Sequence, residues 1–221
     1  MKRTDDARKE ILRAIRENLA QGQSSPPVLL SVPERGDVVN SPSPDLVKPF
    51  TEQLAAVGAQ CTPVCGEEEA GRALARILAG ARARRVVGSN APLVQRLLRS
   101  LGHGDDGFVV ESLDRLSRDE LFACDAGVTT AQWGIAETGT LVLESAREKS
   151  RLLSLVPPTH VVLLSAGCIC ESLGDALARV SVASHAITLI TGPSRTSDIE
   201  LTLVVGVHGP QTLHVLLLEE A

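Results

Sequence analysis

Tyrosine is absent from this chain of 221 residues; tryptophan occurs once, at Trp133, and phenylalanine three times, at Phe50, Phe108 and Phe122. Four rings cannot build a base-stacking platform. A positive excess is missing too: 27 acidic against 22 basic residues give a formal net charge of −5, which leaves nothing to neutralise phosphate backbones. Together these shortages exclude nucleic acid as an expected partner. No window approaches ~18 uncharged apolar residues, and MKRTDDARKE at the start holds no signal-peptide core. The expected location is therefore the cytoplasm, with no transmembrane segment. The chain also lacks C-x-x-C: its five cysteines include the pairs C-T-P-V-C and C-I-C, neither of which has zinc-ribbon or ferredoxin spacing. Reduced thiols are expected, with no metal and no cofactor held in this chain. G-x-G-x-x-G, the P-loop, G-x-S-x-G and H-E-x-x-H are all missing as well, which lowers the odds for dehydrogenases, P-loop NTPases, serine hydrolases and zincins.

What is present is aliphatic and regularly punctuated. Hydrophobic residues make up 43% of the chain, enough for a full core. Residues 1–22 read as an amphipathic helix with Thr4 as N-cap and Ile11, Leu12, Ile15 and Leu19 in one stripe. That stripe packs on the chain's own body or on another subunit, so a homo-oligomer stays open. Residues 23–44 form a Pro-rich linker without sustained period. From residue 45 to 221, helices ending in glycine alternate with short aliphatic strands, and strands dominate beyond Gly134. The pattern predicts an α/β fold: a mixed, mainly parallel sheet with helices on both faces. GVHGPQ carries the chemistry of a tight reversal, so an antiparallel pair is expected at the sheet's end.

Polar side chains gather at three interruptions of this aliphatic half. In GPSRTSDIE, Gly192 turns the chain, while Ser194, Arg195, Thr196, Ser197 and Asp198 place hydroxyls and a guanidinium fork where a strand ends. Successive N–H groups in such a turn bind anions, and the fork suits a carboxylate or phosphate. The competing reading is structural, with Ser197 capping toward Glu200 and Asp198 pairing with Arg195. In GIAETGT, Glu137 precedes Thr138, Gly139 and Thr140; a carboxylate there serves as nucleophile, general base or turn anchor. In GVHGP, His208 is a histidine between glycines, placed to reach a ligand and titrate near neutrality. His160, His185 and His214 sit in or beside strands and read as packed.

AETGTLVL, GPSRTSDIE and GVHGPQTLHVLLL, in that order between Asp125 and Leu218, resemble the LUD family. The resemblance implies a fold similar to the sugar-isomerase and CoA-transferase group and a role in oxidising L-lactate to pyruvate together with iron–sulfur partner proteins. Clusters are then expected in the partners. On motif position and side-chain chemistry, Glu137 and His208 are the catalytic candidates. Thr138, Gly139, Thr140, Gly192, Ser194, Arg195, Thr196, Ser197 and Asp198 are the candidates for binding a small anionic hydroxy acid. Two other readings stand beside this one: an independent acyl-CoA or phosphosugar enzyme using Glu137, and a structural or regulatory module. Whether the chain is catalytic alone stays open.

Overall fold

Gly22, Gly58, Gly80 and Gly102 close or follow four of the helix-forming stretches in the sequence. A computed structural model describes residues 2–22, 46–101, 107–148, 150–197, 203–206 and 208–219. The chain divides into two compact units, Met1–Ser41 and Pro42–Ala221. In the first, α1 (Lys2–Gly22) is the expected leading helix. Ile11, Leu12 and Ile15 are exposed on it, as an apolar stripe without cover would be. The expected linker at 23–44 lies outside the described residues.

In the second unit the order is α2 (Val47–Ala56), β1 (Gln60–Cys65), α3 (Gly66–Gly80), β2 (Arg85–Gly88), α4 (Pro92–Leu101) and β3 (Val109–Ser112). There follow α5 (Arg118–Phe122), β4 (Ala126–Thr130), β5 (Trp133–Ile135), β6 (Thr140–Glu144), α6 (Ser145–Glu148) and β7 (Thr159–Ser165). The chain closes with β8 (Ile169–Cys170), α7 (Leu173–Arg179), β9 (Ile187–Ile190), β10 (Arg195–Ser197), β11 (Leu203–Val205) and β12 (Thr212–Glu219). Glu67, Glu68 and Glu69 sit in the first turn of α3, where the positive end of the helix dipole favours them. Ser117 and Glu120 form both bonds of a capping box at α5, and Ser172 with Asp175 does the same at α7.

Six strands form one sheet in the order β1-β12-β7-β4-β2-β3, and every pairing in it is parallel. β1, with Pro63 in its middle, is one edge. Side chains alternate between two cores, as the two-residue period of a strand requires. Val161 and Leu163 of β7 face a core with Leu74 and Leu78 of α3 and Leu97 and Leu98 of α4. Val162 and Leu164 face Phe50 and Leu54 of α2 and Leu141 and Leu143 of β6. Helices thus lie on both faces, and the second face is also covered by a separate four-stranded sheet, β8-β5-β6-β9, which contains the antiparallel pairs β5–β6 and β6–β9.

One expectation fails here. The last two strands do not form a hairpin: β11 pairs antiparallel with β10 in a small ribbon, whereas β12 runs parallel between β1 and β7. The physical reason lies in β12 itself, where Leu213, Val215, Leu216 and Leu217 are all buried. A continuous apolar run suits the middle of a parallel sheet, where both faces are covered.

Candidate functional site

Two of the three polar interruptions are built into one another. Ser194 donates its backbone N–H to the Pro210 carbonyl at 2.8 Å, and Gly206 donates to the Ser194 carbonyl at 2.8 Å. Gly209 comes so close that a Cβ on it would lie 3.0 Å from that of Ser194. The combined loops are strapped to the end of α2: Arg195 Nη2 donates to the Val57 carbonyl at 2.5 Å, a cation at the negative end of the helix dipole. Gly192, at φ +87°, also rests against Val57, where a Cβ would meet the carbonyl oxygen at 2.7 Å. Between the loops lies a hollow of about 310 Å3, lined by Thr191, Gly192, Ser194, Arg195 and His208, with His160 buried in its wall.

The position of the hollow differs from the expected one. His160 and Leu213, both in its lining, are the second residues of β7 and β12, so it sits at the amino ends of these strands. β9, which leads into GPSRTS, runs antiparallel to β6 and does not belong to the large parallel sheet. Thr196 and Ser197 are strand residues of β10, opposite Val204 and Leu203; Glu200, the other half of the expected cap, lies outside the described residues. Asp198 lies outside the described residues.

GIAETGT is divided between this neighbourhood and another. Thr138, Thr140 and Thr191 form a chain of hydroxyls, Oγ1 to Oγ1, with both links at 2.7 Å, and Thr191 reaches the hollow's lining. Gly139, at φ +64°, is pressed onto α2, where a Cβ would lie 2.6 Å from the Leu54 nitrogen. Glu137 faces elsewhere. It is exposed in a separate hollow of about 490 Å3 shared with Gln53, Glu171 and Asp175, and its N–H donates to the Glu171 carbonyl at 3.1 Å. Glu137 and His208 thus line different hollows.

Three buried titratable side chains, His160, Glu144 and Glu148, have no counterpart among the sequence-derived candidates. His160 is fully buried; its Nε2 bonds Thr129 Oγ1 at 2.9 Å, while Nδ1 has no partner among the described residues. Burial pushes the ring down to about pKa 3, so the imidazole is neutral at any physiological pH. Glu144 accepts from the Trp133 indole at 3.3 Å, the Ser181 N–H at 2.9 Å and the Ser184 hydroxyl at 2.7 Å. Glu148, also buried, accepts from Thr130 and Gln132. A histidine or glutamate at the end of an aliphatic run was the available signal, but strand packing explains such residues equally well.

All five thiols are free. Burial raises the pKa of Cys124, Cys168 and Cys170 and takes Cys61 to about 11, so these four remain protonated near neutrality. Among the described residues no group of three or more His, Cys, Asp or Glu side chains is placed to hold a metal ion. No described helix is long and apolar enough to cross a membrane.

A parallel α/β sheet backed by a smaller mixed one, with interlocked polar loops at its rim, defines the architectural class. The chain belongs to the LUD domain family, which it matches over residues 47–218. It is 30% identical to lactate utilization protein C of Deinococcus radiodurans over 96% of both chains. It is 44% identical to an uncharacterized protein of Neisseria meningitidis over 42% of this chain and 41% of that one. With lactate utilization protein C of Bacillus licheniformis it shares 37% identity over 42% of each chain. In these last two the match spans about two fifths of the relative's length. The crystal structure of a DUF162 family protein from Deinococcus radiodurans shares the fold, with a TM-score of 0.56 at 23% identity, covering 78% of this chain and 96% of that one.

Proposed function

We propose that the chain is a cytoplasmic component of L-lactate utilization, acting with iron–sulfur partner proteins in the oxidation of L-lactate to pyruvate. The observation that carries this reading is the similarity to a lactate utilization protein C along 96% of both chains. The hollow under the interlocked loops supports it, because about 310 Å3 with a guanidinium, hydroxyls and an imidazole in its wall suits a small hydroxy acid. In this reading Arg195 keeps its bond to Val57 and turns its remaining donors to the carboxylate. Ser194 and Thr191 hydrogen-bond the substrate oxygens, and His208 accepts the hydroxyl proton. The Cα–H bond breaks as well, and its proton together with the two electrons released is assigned to the iron–sulfur partners.

Deleting the gene and measuring growth on L-lactate tests the pathway. Lost growth, restored by the intact gene, is expected. Unimpaired growth in a strain without a paralogue rejects the assignment. Purified chain mixed with candidate cysteine-rich partners should give lactate-dependent electron transfer that falls at least about tenfold with Arg195→Ala, the scale of one charge-assisted contact.

A further inference from the structure

The large sheet has a topological switch point, and it lies well away from the interlocked loops. From β2 the chain passes through α4 to β3 on one side, then through α5 to β4 on the other side of β2. The two connections also cover opposite faces: α4 packs in the core that holds Val86, whereas Leu121 of α5 packs against Val87. In open α/β sheets a ligand crevice opens outside the carboxyl ends of strands at such a point.

A hollow of about 440 Å3 is found there. Thr130 and Ser165, the last residues of β4 and β7, line it together with Gln132, Arg147, Arg179 and Ser181. Pro92, the first residue of the ten-residue α4, is also in the lining, so the positive end of that helix dipole faces the hollow. Arg147 forms no ion pair with a described carboxylate, while Arg179 lies over the Trp133 ring and within electrostatic reach of Asp175, one turn earlier on α7. The acid in the lining, Glu144, is buried and spends its oxygens on Trp133, Ser181 and Ser184.

Behind this lining stands a second, independent feature. Glu148 is 3% exposed, and its Oε1 accepts the Thr130 N–H at 3.1 Å, the Thr130 hydroxyl, and the Gln132 amide at 3.4 Å. Its Oε2 is buried and finds no partner in hydrogen-bond geometry among the described residues, although the Ser89 hydroxyl lies near the carboxyl. A buried carboxyl held on one oxygen only is costly for the fold. Here it fixes two residues of the hollow's wall, which makes Glu148 a positioning residue for the site.

We infer that this hollow at the β2–β4 switch point binds a phosphorylated small molecule, with Arg147 and Arg179 gripping the phosphoryl group. Two guanidinium forks and a helix amino end match a tetrahedral dianion. The volume exceeds what a bare phosphate fills and leaves space for an organic portion hydrogen-bonded to Thr130, Gln132 and Ser181. The site is separate from the hollow assigned to the hydroxy acid and does not rest on that assignment.

The chain carries its own reporter. Trp133, its single tryptophan, lines this hollow with the Arg179 guanidinium 5.5 Å from the ring centroid. Ribose 5-phosphate, inorganic phosphate and L-lactate are titrated into the full chain, followed by tryptophan emission and by calorimetry. Ribose 5-phosphate should give saturable binding with a change in emission, and inorganic phosphate a weaker version of both. Arg147→Gln and Arg179→Gln should each weaken binding at least about tenfold. Arg72→Gln, on the exposed side of α3, should leave it unchanged. Arg147 is exposed, so its variant keeps the fold, as an unchanged melting curve would verify. The inference is overturned by the absence of saturable binding for both phosphate probes, by affinities indifferent to Arg147 and Arg179, or by a response to L-lactate alone.

Discussion

His160 occupies a place that its residue type seldom tolerates: complete burial, with one ring nitrogen bonded to Thr129 and the other without a partner among the described residues. Protonating this ring in the folded chain would strand a charge in the core. The folded value of about 3 lies below the ordinary 6.5, so the unfolded chain binds the proton more readily. Stability from this residue is therefore complete above pH 6.5 and is lost as pH falls toward 3, by several kcal/mol in all. His214, also depressed by burial, contributes with the same sign. Denaturant unfolding measured between pH 7 and pH 4 should show a steep decline in the native chain and a flatter one in His160→Gln, whose amide retains a bond to Thr129. Parallel profiles would mean that the ring is reachable by solvent and is not the neutral group described here.

At the scale of elements, the strongest constraint is the close packing of the GIAETGT turn on α2. Gly139 combines a left-handed backbone with a Cβ position only 2.6 to 2.7 Å from backbone atoms of Leu54 and Gln53, so neither a flexible tip nor a rotamer change relieves a substitution. Gly139→Ala should cost at least roughly 2 kcal/mol and lower the melting temperature by about 5 °C or more. A melting point within a degree of the native one would show that α2 lifts away freely.

Local chemistry made most elements legible before any coordinates. Ala70, Leu74 and Ile77 have helical spacing and lie on α3; Ser117 with Glu120 reads as a capping box and is one. Strand partners were another matter, because they are chosen by burial across distant segments. LTLVVGV and TLHVLLL look alike as text, yet one joins a peripheral ribbon and the other enters the centre of the sheet. The site shows the same division. GPSRTS and GVHGP stood out as polar breaks in apolar sequence, and they do meet. Glu137 stood out for the same reason but faces another hollow, because Gly139 fastens its turn to α2. Arg147, Arg179 and Glu148 did not stand out at all: they are scattered charges in the sequence, gathered only by the crossing of the chain at β2 and β4.

For the molecule as a whole, every buried core side chain among the described residues belongs to the second unit, from Phe50 to Leu217. A chain beginning at Pro42 should therefore unfold in one cooperative transition by calorimetry, with near-ultraviolet dichroism from Trp133 preserved. A broad, non-cooperative transition would show that the first unit supplies part of the stability.

Pro63 has a bearing on life at high concentration. It lies on the outermost strand of the central sheet, and proline is accommodated in such a strand where its missing N–H is turned outward. Any foreign segment trying to extend the sheet at β1 meets a gap where a donor should be, together with a pyrrolidine ring in its path. At this edge the aliphatic interior that makes the chain fold is thereby kept from recruiting its neighbours into fibres.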